Sequence, residues 1–460
     1  METWKDKRVV ILGAARQGLA LARFLIHRGA QVTLSDQRPE EKMSAALAAM
    51  QGLPVAWALG GHPLSLLDTA ELLCVSGGVP LTIPIVQEAL ARGIPLSNDS
   101  QIFLDEAPCP VIGITGSAGK TTTTSLVGRM AKAEVQPPRQ AWVGGNIGNS
   151  LVDQLDQIRP EDVVVLELSS FQLEIMTGAP KIAAVLNITP NHLDRHGTLE
   201  DYTAAKARIL EYQKTGDVAV LNREDPGSWN LHQLVRGRLV SFGVNRPDGD
   251  FTGAYCQDEI LYWHEDGRSF PLLPRAEIML RGEHNLANVL AAAAIARAAG
   301  FSVEAIQAGV RGFRGVDHRL EHVRTWKGVQ WINDSIATAP ERTSAALRSF
   351  DEPLVLLLGG RDKNLPWQDL ASQIRGRVDH VIVFGEAANK ILQTLGEPGH
   401  GSRPYSITRC AGLEQAVNAA AEIAEPGDVV LFSPGGTSFD EFTDFEERGE
   451  AFRQWVNKLS

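Results

Sequence analysis

The sequence predicts an α/β protein built as three domains in series, and three observations carry the prediction. Its 460 residues correspond to about three domains at roughly 150 residues each. Short β-branched runs alternate with amphipathic stretches, the pattern of parallel strands joined by helices. Hydrophobic residues make up 44% and charged residues 22%, which supplies apolar surface for real cores and excludes disorder as a main description.

In the first series the spacing predicts strands at 8–12, 31–35 and 71–76, and helices at 18–28 and 85–92, the last beginning just after Pro84. Residues 98–110 (NDSQIFLDEAPCP) read as a linker ending in two prolines. A second series begins at Val111, with a helix to about 133, strands at 162–168 and 182–188, and a helix at 199–212. Between 239 and 273 the pattern turns short and alternating, which predicts a small antiparallel patch, and 285–299 is an alanine-rich helix. After 312–316 a third series places strands at 329–332, 354–358, 380–384 and 429–432. There is no repeat of fixed period.

Forty-four Lys+Arg against 55 Asp+Glu give 44 − 55 = −11. A general nucleic-acid binder needs a basic stripe, and this balance offers none. The longest apolar stretches, such as 289–296, fall far short of the ~18 residues that read as a membrane span. The opening METWKDKRVVILG carries no leader pattern. Cys74, Cys109, Cys256 and Cys410 form no metal-type pairs and read as free buried thiols. A cytoplasmic protein with no membrane or nucleic-acid partner is expected.

The strongest chemical signal is Gly113-Ile-Thr-Gly116-Ser117-Ala118-Gly119-Lys120-Thr121-Thr122. Glycines let backbone N–H groups turn toward an anion, the helix start adds positive charge, Lys120 reaches phosphate oxygens, and Thr121 offers a hydroxyl to Mg²⁺. The strict phosphate-loop pattern has glycine where Ile114 stands, so the loop is a variant. Gly13-Ala-Ala15-Arg-Gln-Gly18, with Asp36 ending the next strand, is a weaker dinucleotide-type fingerprint, because Ala15 stands at the middle glycine. Glu167 ends a buried strand downstream of the phosphate loop, where a carboxylate can hold Mg²⁺. His192 follows the next strand at the same sheet edge. Lys206, on the 199–212 helix, reads by itself as a solvated charge.

GITGSAGKTTTT, GGNIGNS, LELSSFQLE, LNITPNHLDRHGTLEDYTAAKARI, GEHNLANVLAAAA, DHRLEHV, NDSIAT, GGRDK and SPGGTSFDEFTDFEERG stand in one order along the chain. That order resembles the Mur ligases, over nearly the whole length from 13 to 452. The SSFQLE and SFDEFTDFEERG segments resemble the branch that joins glutamate to UDP-N-acetylmuramoyl-L-alanine. The resemblance implies a Rossmann-like UDP-binding domain at 1–97, a central P-loop ATPase domain with a parallel sheet at 98–315, and a C-terminal Rossmann-like, glutamate-binding domain at 316–460. It also implies a reaction. ATP phosphorylates the substrate carboxylate, and the amine of glutamate attacks the acyl phosphate while closure of the third domain excludes water.

Carried over by position, the resemblance puts ATP on Gly116, Ser117, Ala118, Gly119, Lys120, Thr121 and Thr122, with Asn285, Asn288, His318, Arg319 and Asp334 around adenine, ribose and phosphates. One Mg²⁺ falls to Thr121 and Glu167, and a second to His192 and a carbamylated Lys206, whose anionic carbamate can ligate a cation. Ala15, Arg16, Asp36, Gln37, Arg38 and Gly78 match the uridine diphosphate positions, and Asn146 the muramoyl contact. Glutamate falls to Thr338 and Lys363 at one carboxylate, and to Ser438 and the backbone around Phe445 at the other. Lys120, Glu167, His192 and Lys206 make up the implied catalytic set, in a monomer.

The chain departs from the family pattern at one point. The resemblance implies a lysine after Asn-Asp-Ser, near the nucleotide phosphates, and here Asn333-Asp334-Ser335 is followed by Ile336, two residues from Thr338. Arg342 or Arg361 could supply the missing cation, and L-glutamate stays open beside D-glutamate. Three other readings also remain: a different Mur-type or folylpolyglutamate-type amide ligase, an NAD-linked oxidoreductase using residues 13–36, and a P-loop regulatory NTPase.

Overall fold

The strands β1 (Arg8–Leu12), β2 (Gln31–Asp36), β3 (Val55–Leu59), β4 (Leu72–Val75) and β5 (Leu96–Ser97) form a wholly parallel sheet in the order β3-β2-β1-β4-β5. The order reverses at β1, where successive connections lead to opposite sides. A crevice opens beyond the strand ends at such a point. The computed structural model describes residues 4–146, 150–280, 282–363, 365–397 and 402–460, with backbone only at Asp194. The Ile147–Asn149 part of the GGNIGNS motif lies outside the described residues.

Nine strands make the second sheet: β6 (Val111–Thr115), β7 (Ala141–Gly145), β8 (Val163–Glu167), β9 (Ile182–Val185), β10 (Val218–Asn222), β11 (Arg238–Phe242), β12 (Gly253–Gln257), β13 (Ile260–Glu265) and β14 (Arg268–Pro274). They lie in the order β14-β13-β12-β11-β10-β9-β6-β8-β7. The antiparallel patch expected at 239–273 is only part of that region. β11 and β12 extend the parallel sheet, and only β12, β13 and β14 pair antiparallel. The rim strand β14 carries Pro271 and Pro274, and its register slips between Leu261 and Tyr262 of β13.

The third sheet holds β15 (Glu321–Trp326), β16 (Val329–Asn333), β17 (Leu354–Gly359), β18 (His380–Phe384), β19 (Ser406–Arg409) and β20 (Val429–Gly435). Their order is β15-β16-β20-β17-β18-β19, and only the β15–β16 pair is antiparallel. Burial explains why the strand runs are so apolar. Every residue of β17 and β20 is buried, as expected for parallel strands covered on both faces.

By contact the chain divides into two compact units. One holds the residues up to Met279 with Glu283–Phe313, and the other Arg314–Ser460. The first and second sheets share a unit because they share a core. Ile11, Leu21, Leu25 and Leu34 belong to the same apolar cluster as Leu151, Leu155, Leu166 and Leu173. Arg23–Asp153 and Arg28–Asp156 ion pairs, both at 2.7 Å, border that seam.

The 98–110 segment is not a linker. Asn98 caps a helix over Asp99–Glu106, accepting the Gln101 N–H at 2.8 Å, and donates its Nδ2 to the Gln172 carbonyl at 2.8 Å. Asp99, Ser100 and Gln101 are buried together with Ile102 and Phe103. Polar composition concealed a helix whose polar groups are satisfied inside the seam: Gln172 Nε2 donates to Ser100 Oγ at 2.7 Å. Replacing Asn98 with Ala removes a cap and a buried hydrogen bond, so urea unfolding of the first unit should lose about 2 kcal/mol. A loss below about 0.5 kcal/mol would show that the seam is held elsewhere.

Candidate active site

The phosphate loop leaves β6, an interior strand of the second sheet between β9 and β8, and enters the helix Lys120–Glu134. Gly119 makes the turn in the left-handed region, at φ +80°, and a Cβ there would collide with Asn288 Oδ1. The glycine therefore serves both the turn and the close approach of the helix Glu283–Ala298. That helix also supplies Asn285, whose Oδ1 accepts from Asn288 Nδ2 at 3.1 Å. The first N–H groups of the Lys120 helix have no partner inside it and converge with the helix dipole. Such a terminus receives phosphate.

Lys120 Nζ donates to the carbonyls of Gly116 at 2.7 Å and Ser117 at 3.2 Å. At the next residue, Thr121 Oγ1 donates to Glu167 Oε2 at 2.9 Å, and Asn146 Nδ2 donates to Glu167 Oε1 at 2.8 Å. Adjacent strands β6, β8 and β7 thus bring the phosphate loop, Glu167 and Asn146 to one point. A hydroxyl beside a carboxylate is a hard-oxygen pair that suits Mg²⁺ next to phosphate oxygens.

Lys206 is not a solvated charge. Only 1% of it is exposed, its Nζ donates to the Gly116 carbonyl at 2.9 Å, and the Tyr202 ring centre lies 4.6 Å away. Burial pushes its ammonium well below the usual lysine range, and the neighbouring Lys120 charge pushes the same way against Glu167. Among the described residues no group of three or more His, Cys, Asp or Glu side chains could hold a metal.

His192 is exposed in the left-handed region at φ 53°. The Phe171 ring meets its edge at 5.1 Å. Phe171 also stacks on His196 at 5.1 Å, under Arg195 at 4.5 Å, and His196 lies 5.2 Å from Tyr202. An aromatic chain thus runs from His192 to Tyr202, whose ring covers Lys206. Its anchor is Ser170, whose hydroxyl hydrogen bonds with His196 Nε2 at 3.0 Å.

Sequence reasoning missed Asn187. Its Oδ1 accepts the Ala118 N–H at 2.8 Å, its Nδ2 donates to the Ala118 carbonyl at 3.1 Å, and its own carbonyl accepts the Ser117 N–H at 2.9 Å. Ser117 Oγ adds a reciprocal pair with Thr189, at 3.0 Å each way. The only advance signal was an asparagine directly after a buried strand at the edge that carries His192.

In the first sheet, Ala15, Arg16, Asp36, Gln37, Arg38 and Gly78 all lie at the carboxyl ends of β1, β2 and β4. Arg38 forks onto Asp36, with Nε on Oδ1 and Nη2 on Oδ2 at 2.8 Å each, and Ala14 N–H joins at 2.9 Å. That fork, helped by the two backbone donors, holds the Asp36 carboxyl well below its ordinary range. Asp36 is thereby committed to protein donors, unlike the free acid that a dinucleotide ribose needs. Arg16 is exposed at the start of the helix Arg16–His27. The Gly78 carbonyl accepts from Arg195 at 3.4 Å, tying the first sheet's loop to the aromatic chain.

The second unit carries the remaining candidates. His318 stands at φ 62° with its N–H on Glu321 at 2.8 Å and its Nδ1 hydrogen bonded to Asn333 at 3.0 Å, while Arg319 follows it in the same turn. Asp334 accepts from Ser433 Oγ at 2.7 Å and Leu320 N–H at 3.2 Å, yet burial pushes its carboxyl up to about 7. Lys363 Nζ meets Thr338 Oγ1 at 3.3 Å, the pairing expected of a carboxylate pocket. Ser438 is buried, and Phe445 opens the helix Phe445–Lys458 with its carbonyl on Ser335 Oγ. Arg448, also unforeseen, is wholly buried. It donates to Ser335 Oγ and to the Ser335 and Gly436 carbonyls, and burial lowers its guanidinium to about 10.

Comparison with known proteins shows the family. Residues 7–98 match the model described as Mur ligase MurD-like, N-terminal domain; 114–296 match Mur ligase middle domain; and 318–436 match Mur ligase, glutamate ligase domain. The chain belongs to the Mur ligase family. It is 40% identical over 455 residues to UDP-N-acetylmuramoylalanine--D-glutamate ligase of Symbiobacterium thermophilum, covering 99% of each chain. It is 41% identical over 460 residues to the protein of the same name from Geobacillus kaustophilus, covering 99% of this chain and 98% of the other. The solved structure of UDP-N-acetylmuramate-alanine ligase from Thermotoga maritima shares the fold, with a TM-score of 0.57 at 19% identity over 98% of this chain and 99% of that one.

Two outcomes test this geometry. Asn187→Ala should weaken ADP binding by about tenfold in calorimetry, the loss of roughly one net hydrogen bond; unchanged affinity would show that the loop holds its shape unaided. Asp334 binds its proton more tightly folded than unfolded. Its stabilising contribution is complete below the unfolded carboxylate range and is lost as pH rises through about 7. Asp334→Asn should therefore flatten the fall in melting temperature of the second unit between about pH 4 and 7, and an unaltered slope would mean another group titrates there.

Proposed function

We propose that this chain joins D-glutamate to UDP-N-acetylmuramoyl-L-alanine with ATP, through an acyl phosphate, in peptidoglycan precursor synthesis. The observation that carries the reading is about 40% identity over essentially the full length of both chains with ligases of that name. The domain boundaries of the reading are 97/98 and 315/316. The chain acts as a cytoplasmic monomer; among the described residues no helix is long and apolar enough to cross a membrane. All four cysteines are free, Cys74 and Cys109 buried and the other two half-buried.

In this reading the substrate carboxylate attacks the γ-phosphorus of ATP, and the bond to the bridging oxygen breaks to release ADP. Ser117–Thr122 and Lys120 receive the phosphates, and Asn285, Asn288, His318, Arg319 and Asp334 the rest of the nucleotide. The glutamate amine then attacks the acyl carbon, and phosphate leaves with the C–O bond electrons. Thr121 and Glu167 would hold one Mg²⁺, and His192 with a carbamylated Lys206 a second, and the bound cations would supply neutralisation of phosphate charge. Lys206 suits carbamylation because its depressed basicity leaves an uncharged amine, the form that combines with CO₂. Arg16, Arg38, Asp36, Gln37, Ala15 and Gly78 receive the uridine diphosphate, and Asn146 the muramoyl group. Thr338, Lys363, Ser438 and the Phe445 backbone receive glutamate.

Phosphate release with ATP, Mg²⁺ and UDP-N-acetylmuramoyl-L-alanine should require D-glutamate. Turnover with L-glutamate alone would keep the chemistry and overturn the stereochemical assignment. Lys206→Ala should abolish turnover and be partly rescued by short-chain carboxylic acids; a fully active variant would remove the carbamate.

A further inference from the structure

Arg342 lies in the first turn of the helix Pro340–Leu347, and its Nη1 donates to the Ile336 carbonyl at 3.1 Å. The same carbonyl accepts the Thr338 N–H at 2.8 Å, and Thr338 Oγ1 accepts from Lys363 at 3.3 Å. Two cationic side chains therefore grip one three-residue turn, 336–338, and these hydrogen bonds end on neutral oxygens. Arg361, the other candidate for a missing cation, is placed differently. It forks onto Glu386, with Nε and Nη2 at 2.8 and 3.0 Å from its two oxygens.

Position 336 is where the family pattern often carries lysine, and the isoleucine there cannot meet an anion. We propose that Arg342 is a specificity-determining residue for the amino-acid substrate, receiving with Lys363 one carboxylate of the incoming glutamate in place of a lysine at 336. The proposal rests on the glutamate-ligase reading. Like charges gathered on a single turn repel one another, and a bound carboxylate relieves that repulsion. The Lys363 ammonium registers it: burial lowers its basicity, and Arg342 and then Arg448 lower it further against Glu341. A guanidinium presents two parallel N–H donors to a carboxylate, which fixes the acid's orientation as well as its charge. Arg342 is exposed in the first helical turn, so truncating it removes no core packing.

The test compares wild type, Arg342→Gln, Arg342→Lys and the double variant Arg342→Gln/Ile336→Lys in steady-state phosphate release and thermal melting. Arg342→Gln should raise the glutamate KM by about tenfold or more, and leave the KM values for ATP and the UDP substrate within about twofold. Its melting temperature should match wild type, Arg342→Lys should fall between, and Ile336→Lys should recover most of the lost affinity. An unchanged glutamate KM in Arg342→Gln, a parallel rise in all three KM values, or no recovery in the double variant would overturn the proposal while wild-type turnover upholds the ligase reading. Wild type inactive with either glutamate enantiomer would instead sink that reading, and the proposal with it.

Discussion

Two loops leave neighbouring strands at the carboxyl edge of the central sheet, and hydrogen bonds between Ser117–Ala118 and Asn187–Thr189 lace them together. The phosphate loop alone would be a glycine-rich turn with many accessible shapes. Laced to the second loop it has one, which sets where the Gly116 carbonyl points. That carbonyl receives both Lys120 and Lys206. Two ammonium groups on one oxygen are tolerable because burial favours the neutral form of Lys206. The same lacing fixes the stem of the loop that carries His192, so the phosphate loop and His192 share a single frame.

A second constraint joins the first domain to this frame. Phe171 and Gln172, from one short segment, face opposite ways. Gln172 ties back to Asn98 and Ser100 at the domain seam, while Phe171 stacks with His192, His196 and Arg195. Arg195 in turn reaches the Gly78 carbonyl at the end of the first sheet. A shift at the end of the first sheet would thus be felt at His192 through packed rings rather than through a flexible hinge.

Most of the fold was legible because its strands are buried on both faces and read as continuous apolar runs, as in β6, β8, β17 and β20. The phosphate loop was legible from local spacing alone. β3 and β7 escaped notice because they are only half-buried. The helix after Asn98 escaped because buried polar side chains look like loop composition. Glu167 could be weighed from its place at a strand end. The true setting of Lys206 could not, because its burial depends on Thr115 and Gly116, which are distant in sequence. Asn187 and Arg448 act through hydrogen bonds to backbone, and no spacing rule marks such partners. The apolar seam between the first and second sheets is invisible to a reading that takes one segment at a time.

The nine-stranded sheet has an outer margin at β14, where chains in general are vulnerable to being recruited into fibres. Pro271 and Pro274 withdraw two backbone donors there, and the slip opposite Leu261 and Tyr262 breaks the regular spacing a visiting strand would need. The margin is therefore a poor template for growth. On that side the sheet closes itself to a tenth strand by its own covalent chemistry, with no covering element needed.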